Sequence, residues 1–593
     1  MAATTQNLAD LFNEQIRDFL FSDIINWQDW IVIAAYFVVI GAIAWYSGRN
    51  QKSTADYFLA GRNAGWLAIG ASIFTANIGS EHIVGLAGAG ANSGMAMAHL
   101  EMHAWVLILL AYVFVPFYYK AGVYTIPEFL EKRFGSKTRW FLSVVSLVAY
   151  IFTKVSVTVY AGAIVFQAFL GDAFGSAENA FWVGAFTTVI LTGIYTVFGG
   201  MKAILYTATP QAAILIFGSA LITYFGLTEL GEVKDGFDAT ISGGWQALID
   251  SAKSNAADFA LWRPLSDVDF PWLGIMMASP IIGIWYWCTD QYIVQRTFSA
   301  KDLETARKGA LFGGILKITP ILIFLIPGMI GWALFNAKPD TFKLSVVNGE
   351  IMGDAVFPML VTTLLPHWIR GLIVACLLAA LMSSLASLFN SSASLFTEDI
   401  YKKLVPQKSE KHYVSAGRIA TVVVVGFGIV WIPVMKRIAD GGLYDYLQSV
   451  QSYLAPAITA VFLLGIFWSR MNGKAALSGL IAGFALGMSK LTIGTFFGAD
   501  KINIPVLAQI GDFNPYYCAG VLFAATVAVV VAVSVLTEKP KPSQTRGLTY
   551  AWLMSDAEAR AEVRASWTFT NKMFALVILA GVAGMYIYFS FWL

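Results

Sequence analysis

Fourteen stretches of mostly apolar residues, each long enough to cross a bilayer as a helix, dominate this chain and constrain its fold more than any other feature. A hydrocarbon core about 30 Å thick takes about 20 such residues per helix, and lipid offers the backbone no hydrogen-bond partner, so helices satisfy it internally. The stretches lie near 28–47, 66–90, 95–119, 141–170, 181–198, 205–226, 273–295, 310–335, 369–398, 418–435, 443–468, 475–494, 516–537 and 574–592. The first is a leader helix and the others are helices 1 to 13. The expected class is an all-α integral membrane protein. Composition agrees: of 593 residues, 57% are hydrophobic and 13% charged, against about 25% charge in a soluble domain, which excludes a soluble enzyme. The 39 basic and 37 acidic residues nearly cancel, which excludes a disordered chain and a nucleic-acid binder.

Cys288, Cys376 and Cys518 sit in or beside apolar stretches and read as small buried hydrophobes. The polar, net acidic segment 1–27 lacks the basic region and cleavage site of a signal peptide. Basic residues mark alternate loops: Arg49, Lys52 and Arg62; Lys132, Arg133, Lys137 and Arg139; Arg296, Lys301, Arg307 and Lys308; Lys402, Lys403, Lys408 and Lys411. The positive-inside rule makes these cytoplasmic. Segments 171–180 and 227–272 then face outside with both termini, in a plasma or inner membrane, and a cytoplasmic loop falls near 538–573. Lys436–Arg437, on an expected outer loop, is a short violation of the rule.

Two stretches carry breaks. Helix 1 is interrupted at Asn77, Gly79, Ser80, Glu81 and His82, and helix 6 contains Ser279–Pro280 and Gly283. Gly and Pro weaken helices. Five spans separate the breaks, so helices 1 and 6 cross in opposite senses, as two inverted five-helix repeats require. These are 66–226 and 273–468, followed by helices 11 to 13 in 475–593. A kink for packing is the alternative at either site alone.

Charge at mid-bilayer costs about 2.5–3.5 kcal/mol on insertion scales and faces the bundle interior. The interior set is Glu81, Glu101, Lys154, Asp290, Lys317, Asp445 and Lys490. Glu101, Asp290 and Asp445 balance Lys154, Lys317 and a base near the ends such as Arg296, which leaves a neutral interior suited to a neutral polyol. Sugar recognition needs a few placed polar groups and an aromatic face. Asn77, His82, Glu101, Lys317 and Gln448 supply the first; Tyr286, Trp287 and Tyr444 supply the second. Any one of them alone reads equally as interhelical packing. Helix 8 carries Ser383, Ser384, Ser387, Ser391 and Ser394 at helical spacing. The stripe is either a small-residue packing face or, with freed carbonyls of helix 1 opposite, a hard-oxygen site for a small cation. No nucleophile–base set appears, and His99 and His103 read as interhelical polar residues, so an enzyme is not expected.

Long motifs then become recognisable: "ASIFTANIGSEHIVGLAGAG" (71–90), "KAGVYTIPEFLEKRFG" (120–135), "IYTVFGGMKAILYT" (194–207), "WYWCTDQYIVQRTFSAK" (285–301), "ALMSSLASLFNSSASLFTEDIY" (380–401) and "DYLQSVQSYLAPAITAVFLLGIFW" (445–468). With them the chain resembles the sodium/solute symporter family, and within it the sodium/glucose cotransporters, from about residue 28 to 493. The resemblance implies a LeuT-like core of helices 1 to 10 with alternating access, carrying one Na+ with a sugar. It implies sodium ligands at the carbonyls of Thr75, Ile78 and Ala380 and the hydroxyls of Ser383 and Ser384. It implies sugar contacts at Asn77, His82, Glu101, Lys317 and Gln448, Tyr286 as inner gate with Trp287 beside it, and Lys154 and Asp445 near an outer gate.

The sequence departs from the family at Ala208, where relatives often carry Asp, and at Ala386, where two-sodium relatives carry a hydroxyl; both point to a single sodium ion. Gly283 and Leu100 stand where relatives place polar or aromatic pocket residues, which leaves the choice of sugar open. The expectation is a sodium-coupled symporter of a neutral hexose in a lipid bilayer. The alternatives are a sodium/myo-inositol or other polyol symporter, and a sugar-gated sodium conductance or sensor.

Overall fold

The computed structural model describes residues 24–49, 51–79, 81–171, 174–347, 350–438, 443–497 and 504–593, apart from the side chains at 81, 347, 350, 435–438 and 443–447. The chain is almost entirely helical. One two-stranded hairpin, Val346–Val347 with Glu350–Ile351, is the only sheet among the described residues.

Among the described residues, twelve helical runs are long and apolar enough to cross a membrane, against the fourteen stretches in the sequence. Two runs each carry two of the expected stretches. Ala177–Val233 has 57 residues, about 86 Å at 1.5 Å per residue, far more than one bilayer crossing needs. It bends at Gly200, whose φ of 57° puts it in the left-handed region open to glycine. A Cβ there would also lie 2.8 Å from the Tyr57 carbonyl, so helices 4 and 5 meet where only glycine fits. His82–Ala121 likewise joins the second half of helix 1 to helix 2 and turns at Gly94, φ 56°.

Helix 1 breaks where the sequence indicates. Trp66–Asn77 ends at Ile78, whose φ −82° and ψ 89° are not helical, and helix resumes at Glu81. Helix 6 breaks elsewhere. Trp272–Ile284 runs straight through Ser279–Pro280 and continues to Thr289; the turn comes at Asp290, φ −83° and ψ 123°. Beside the proline the helix is tied to its neighbours: Ser279 Oγ donates to the His99 carbonyl and Thr459 Oγ1 to the Ile281 carbonyl. Asp290 ends the run because its carboxylate accepts the Tyr292 N–H, capping the new helix Gln291–Phe298.

The leader helix, Trp27–Ser47, is tied to helix 8 by Asp29. That fully buried carboxylate accepts the N–H of Trp368 at 2.9 Å and of Gly371 at 2.8 Å, and meets His367 Nδ1 at 2.7 Å. It thereby caps helix 8, Ile369–Ser394, from another element and holds Trp368 at a positive φ of 73°. Helix 8 is the most enclosed of the spans, 89% of its most apolar window being buried. It therefore runs through the centre of the bundle, where its serines face protein and not lipid.

Candidate functional site

The two breaks bring helices 1, 2, 6 and 7 together around a buried polar cluster. Lys317, just past the end of Leu303–Leu316 on helix 7, places its Nζ 2.5 Å from Glu101 Oε2 on helix 2. His82, from the second half of helix 1, sets Nε2 3.4 Å from Glu101 Oε1 and 3.4 Å from Lys317 Nζ. Glu101 and Lys317 are each 2% exposed. An unpaired charge at this depth is expensive, whereas a paired and hydrogen-bonded one is tolerated, so the triad stays polar while remaining close to neutral. Trp287 covers it, its ring centroid 5.6 Å from Lys317 Nζ.

Asn77, the last residue of the first half of helix 1, donates from Nδ2 to the Tyr286 hydroxyl at 3.2 Å. Tyr286 packs edge-on against Trp287 at 4.9 Å between centroids. The Asn77 Oδ1, Gln448 Oε1 and Trp287 Nε1 atoms are buried without hydrogen-bond partners among the described residues. Buried polar atoms are ordinarily paired, so these three are available to bond a further polar group. Of the eight expected sugar contacts, Asn77, Tyr286 and Trp287 touch in sequence, as do His82, Glu101 and Lys317. Gln448 is buried on helix 10, and the Tyr444 side chain lies outside the described residues.

Lys154 lies at the break of helix 6. Its Nζ engages Asp290, which also accepts from the Tyr150 hydroxyl; the side chain of Asp445, expected with Lys154 near the outer gate, lies outside the described residues. The ammonium is also ringed by Tyr150, Trp285, Tyr286 and Tyr292, with centroids 4.9 to 5.2 Å away, a cation–π enclosure. Arg296, suggested as the base that balances the interior acids, forms no ion pair among the described residues; it contacts Ser72, Tyr292 and Ser387. A cavity of about 20 Å³ lies among Lys154, Thr158, Tyr286, Tyr292 and Gln451, room for a water molecule and not for a sugar ring.

Helix 8 faces the broken end of helix 1. Ser384 Oγ lies 3.2 Å from the Ala76 carbonyl and 3.5 Å from that of Thr75, and Tyr292 also donates to the Ala76 carbonyl. The Thr75 Oγ1 atom is buried with no hydrogen-bond partner among the described residues. These are hard oxygen donors of the kind a sodium ion takes and zinc or copper does not. Ile78, Ala380 and Ser383 are buried alongside, and the Ser383 carbonyl accepts from Ser387 Oγ. Tyr292 and Ala76 were missed in the sequence; the signal available was the Tyr at i+6 from Tyr286, but only the turn at Asp290 swings it back to helix 1. His99 and His103 join helices as expected, to the Leu261 carbonyl, Tyr586 and Ser279.

Comparison with known proteins gives the family and the fold. A family profile described as "Sodium:solute symporter family" matches residues 57–483. The chain is 39% identical over 538 residues to "Sodium/glucose cotransporter 1" of Oryctolagus cuniculus, covering 87% of this chain and 80% of that one. It is 36% identical over 550 residues to "Sodium/myo-inositol cotransporter" of Homo sapiens, covering 89% and 76%. Its fold matches that of a Na+-coupled sialic acid symporter in a substrate-bound outward-open state, with TM-score 0.71, 22% identity, and 87% and 98% of the two chains covered. This is the LeuT-like architecture, and Na+ is the coupling ion. The chain belongs to the sodium:solute symporter family, multi-pass membrane proteins that carry a small molecule with sodium and are transporters, not enzymes.

Proposed function

We propose that this symporter carries a neutral hexose, glucose or galactose, with one sodium ion by alternating access between the repeats 66–226 and 273–468. The observation that carries the reading is the buried Glu101–Lys317–His82 cluster beside Trp287. It presents donors and acceptors to hydroxyl groups without net charge to attract an ionic substrate. Asn77, His82, Glu101, Lys317 and Gln448 bind the sugar hydroxyls. Trp287 and Tyr444 offer aromatic surface, and Tyr286, held by Asn77, closes the inner side. Lys154 and Asp445 belong to the gates. Thr75, Ile78, Ala380, Ser383 and Ser384 hold the sodium ion. With one charge moved per cycle, a membrane potential supplies about 2.3 kcal/mol per 100 mV, about fiftyfold of sugar gradient. Both termini lie outside.

A polyol such as myo-inositol is the second reading, because relatives described as sodium/myo-inositol cotransporters are 36–37% identical to this chain and inositol offers similar hydroxyls. Uptake of labelled galactose into proteoliposomes, competed by glucose and by inositol at several sodium concentrations, separates the two. Strong competition by glucose with weak competition by inositol is expected; the reverse result replaces hexose with polyol. Sodium currents without accumulation of labelled sugar would make the chain a sugar-gated conductance.

A further inference from the structure

We infer that Arg296 closes the sodium site on the side of the basic loops, acting as a fixed positive charge that keeps the ion from passing when no sugar is carried. The inference rests on the assignment of Thr75, Ser383 and Ser384 to sodium. Arg296 and Tyr292 are four residues apart on Gln291–Phe298, so they share one helix face, and both reach helix 1. Tyr292 bonds the Ala76 carbonyl. Arg296 Nε donates to the Ser72 carbonyl at 3.0 Å and to the Ser72 hydroxyl at 2.9 Å, and a second arm donates to Ser387 Oγ on helix 8 at 2.5 Å.

Ser72 lies one turn before Ala76 on helix 1, and Ser387 one turn after Ser383 on helix 8. Both steps lead toward the loops that hold Arg62 and Lys402. The guanidinium thus spans the same two helices as the sodium site, one turn further along. Ser387 in turn donates to the Ser383 carbonyl at 2.7 Å, so the arginine and a proposed ligand residue share one hydrogen-bond chain.

The charge itself is unusual. Arg296 is 0% exposed, and among the described residues it forms no ion pair; Asp290, on the same helix, is engaged by Lys154 and Tyr150. A strut between helices 1 and 8 needs no cation, and burying one among neutral partners is costly. A repelling arginine is, however, a known way to exclude cations from a narrow polar path. Sodium can leave on this side only when helices 1 and 8 part and the arginine loses its hold on Ser72 and Ser387.

The test uses the full-length protein in proteoliposomes, with labelled sodium influx measured without sugar and sugar accumulation measured in parallel. Arg296→Gln keeps hydrogen-bonding capacity and removes the charge. It is expected to raise sugar-independent sodium influx by about tenfold, the low end of electrostatic rate effects, and to lower accumulation. Arg296→Lys keeps the charge and is expected to stay nearly as tight as wild type, a contrast that a purely structural role does not produce. If Arg296→Gln fails to fold, Ser387→Ala, which releases one arm, should leak severalfold. Sodium-tight Arg296→Gln and Ser387→Ala variants, or a lysine variant as leaky as the glutamine one, overturn the inference while sodium-driven uptake by wild type still stands. Absence of sodium-driven uptake by wild type overturns the transport reading, and the inference with it.

Discussion

Lys317 Nζ and Glu101 Oε2 lie 2.5 Å apart, and each residue is 2% exposed. Removing one partner of such a pair strands the other charge, at about 3–5 kcal/mol, whereas removing both can be nearly neutral. Glu101→Ala should therefore lower the melting temperature in detergent and abolish sugar uptake. The double variant Glu101→Gln, Lys317→Met should recover most of the melting temperature and none of the uptake. Normal transport by the double variant would make the pair a scaffold and remove it from the sugar site.

Ser384 is the hydroxyl of helix 8 that meets the broken end of helix 1. Loss of one ligand to a charged species is worth about 1.5–3 kcal/mol. Ser384→Ala is thus expected to raise the sodium concentration for half-maximal uptake by at least about tenfold, with sugar uptake falling in parallel at low sodium. A sodium titration of uptake reads both. Unchanged uptake at low sodium moves the site away from Ser384.

The pairing of Lys154 is open to a double-mutant cycle. Lys154 contacts Asp290, so alanine substitutions at the two should couple, with an interaction energy above about 1 kcal/mol in melting or uptake. The same cycle run with Asp445 should give a smaller term in this conformation. A larger coupling to Asp445 would instead make Asp445 the partner of Lys154.

Span positions and the break in helix 1 were legible because both follow from hydropathy and from a cluster of helix-breaking polar residues around Gly79. The break in helix 6 was not. Ser279–Pro280 carries the stronger local signal, yet the helix continues through it, tied to its neighbours by Ser279 and Thr459. Asp290 breaks the helix because its carboxylate caps the next one and gathers Lys154 and Tyr150. Those partners lie 136 and 140 residues away in sequence, beyond the reach of any periodicity. Charge balance set Glu101, Asp290 and Asp445 against Lys154, Lys317 and a further base, but summing charges cannot say which acid a lysine chooses; Lys317 takes Glu101 and Lys154 takes Asp290. Arg296 escaped for the same reason: its partners are neutral, and neutral serines give no charge to count.

Asp29 reaches the start of helix 8 with both oxygens. Asp29→Ala leaves the Trp368 and Gly371 N–H groups unpaired at the point where Trp368 adopts a positive φ. The expected loss is about 3 kcal/mol, from two charge-assisted hydrogen bonds, read as a lower melting temperature. Asp29→Asn, which can replace only part of the set, should fall between. An alanine variant as stable as wild type would show that the leader helix does not brace helix 8.

Glu131 lies on Ile126–Phe134, between two spans, where it accepts from Arg139 and meets Lys403 Nζ at 3.2 Å. Burial alone would raise its carboxyl, but the hydrogen bond and charge of Arg139, reinforced by Lys403, hold it below the usual range. A folded-state value below the unfolded one, about 4.3, means stability that is fully present above the unfolded value and is lost as pH falls through the folded one. At pH 7 Glu131→Gln should therefore melt below wild type. As pH drops below about 4.3 the two curves should converge, because wild type sheds the contribution that the variant never had. Measuring melting temperature from pH 7 downward in low salt, where exposed pairs are least screened, shows the convergence. Parallel curves across the range would mean that the Glu131–Arg139 contact adds nothing to the folded state.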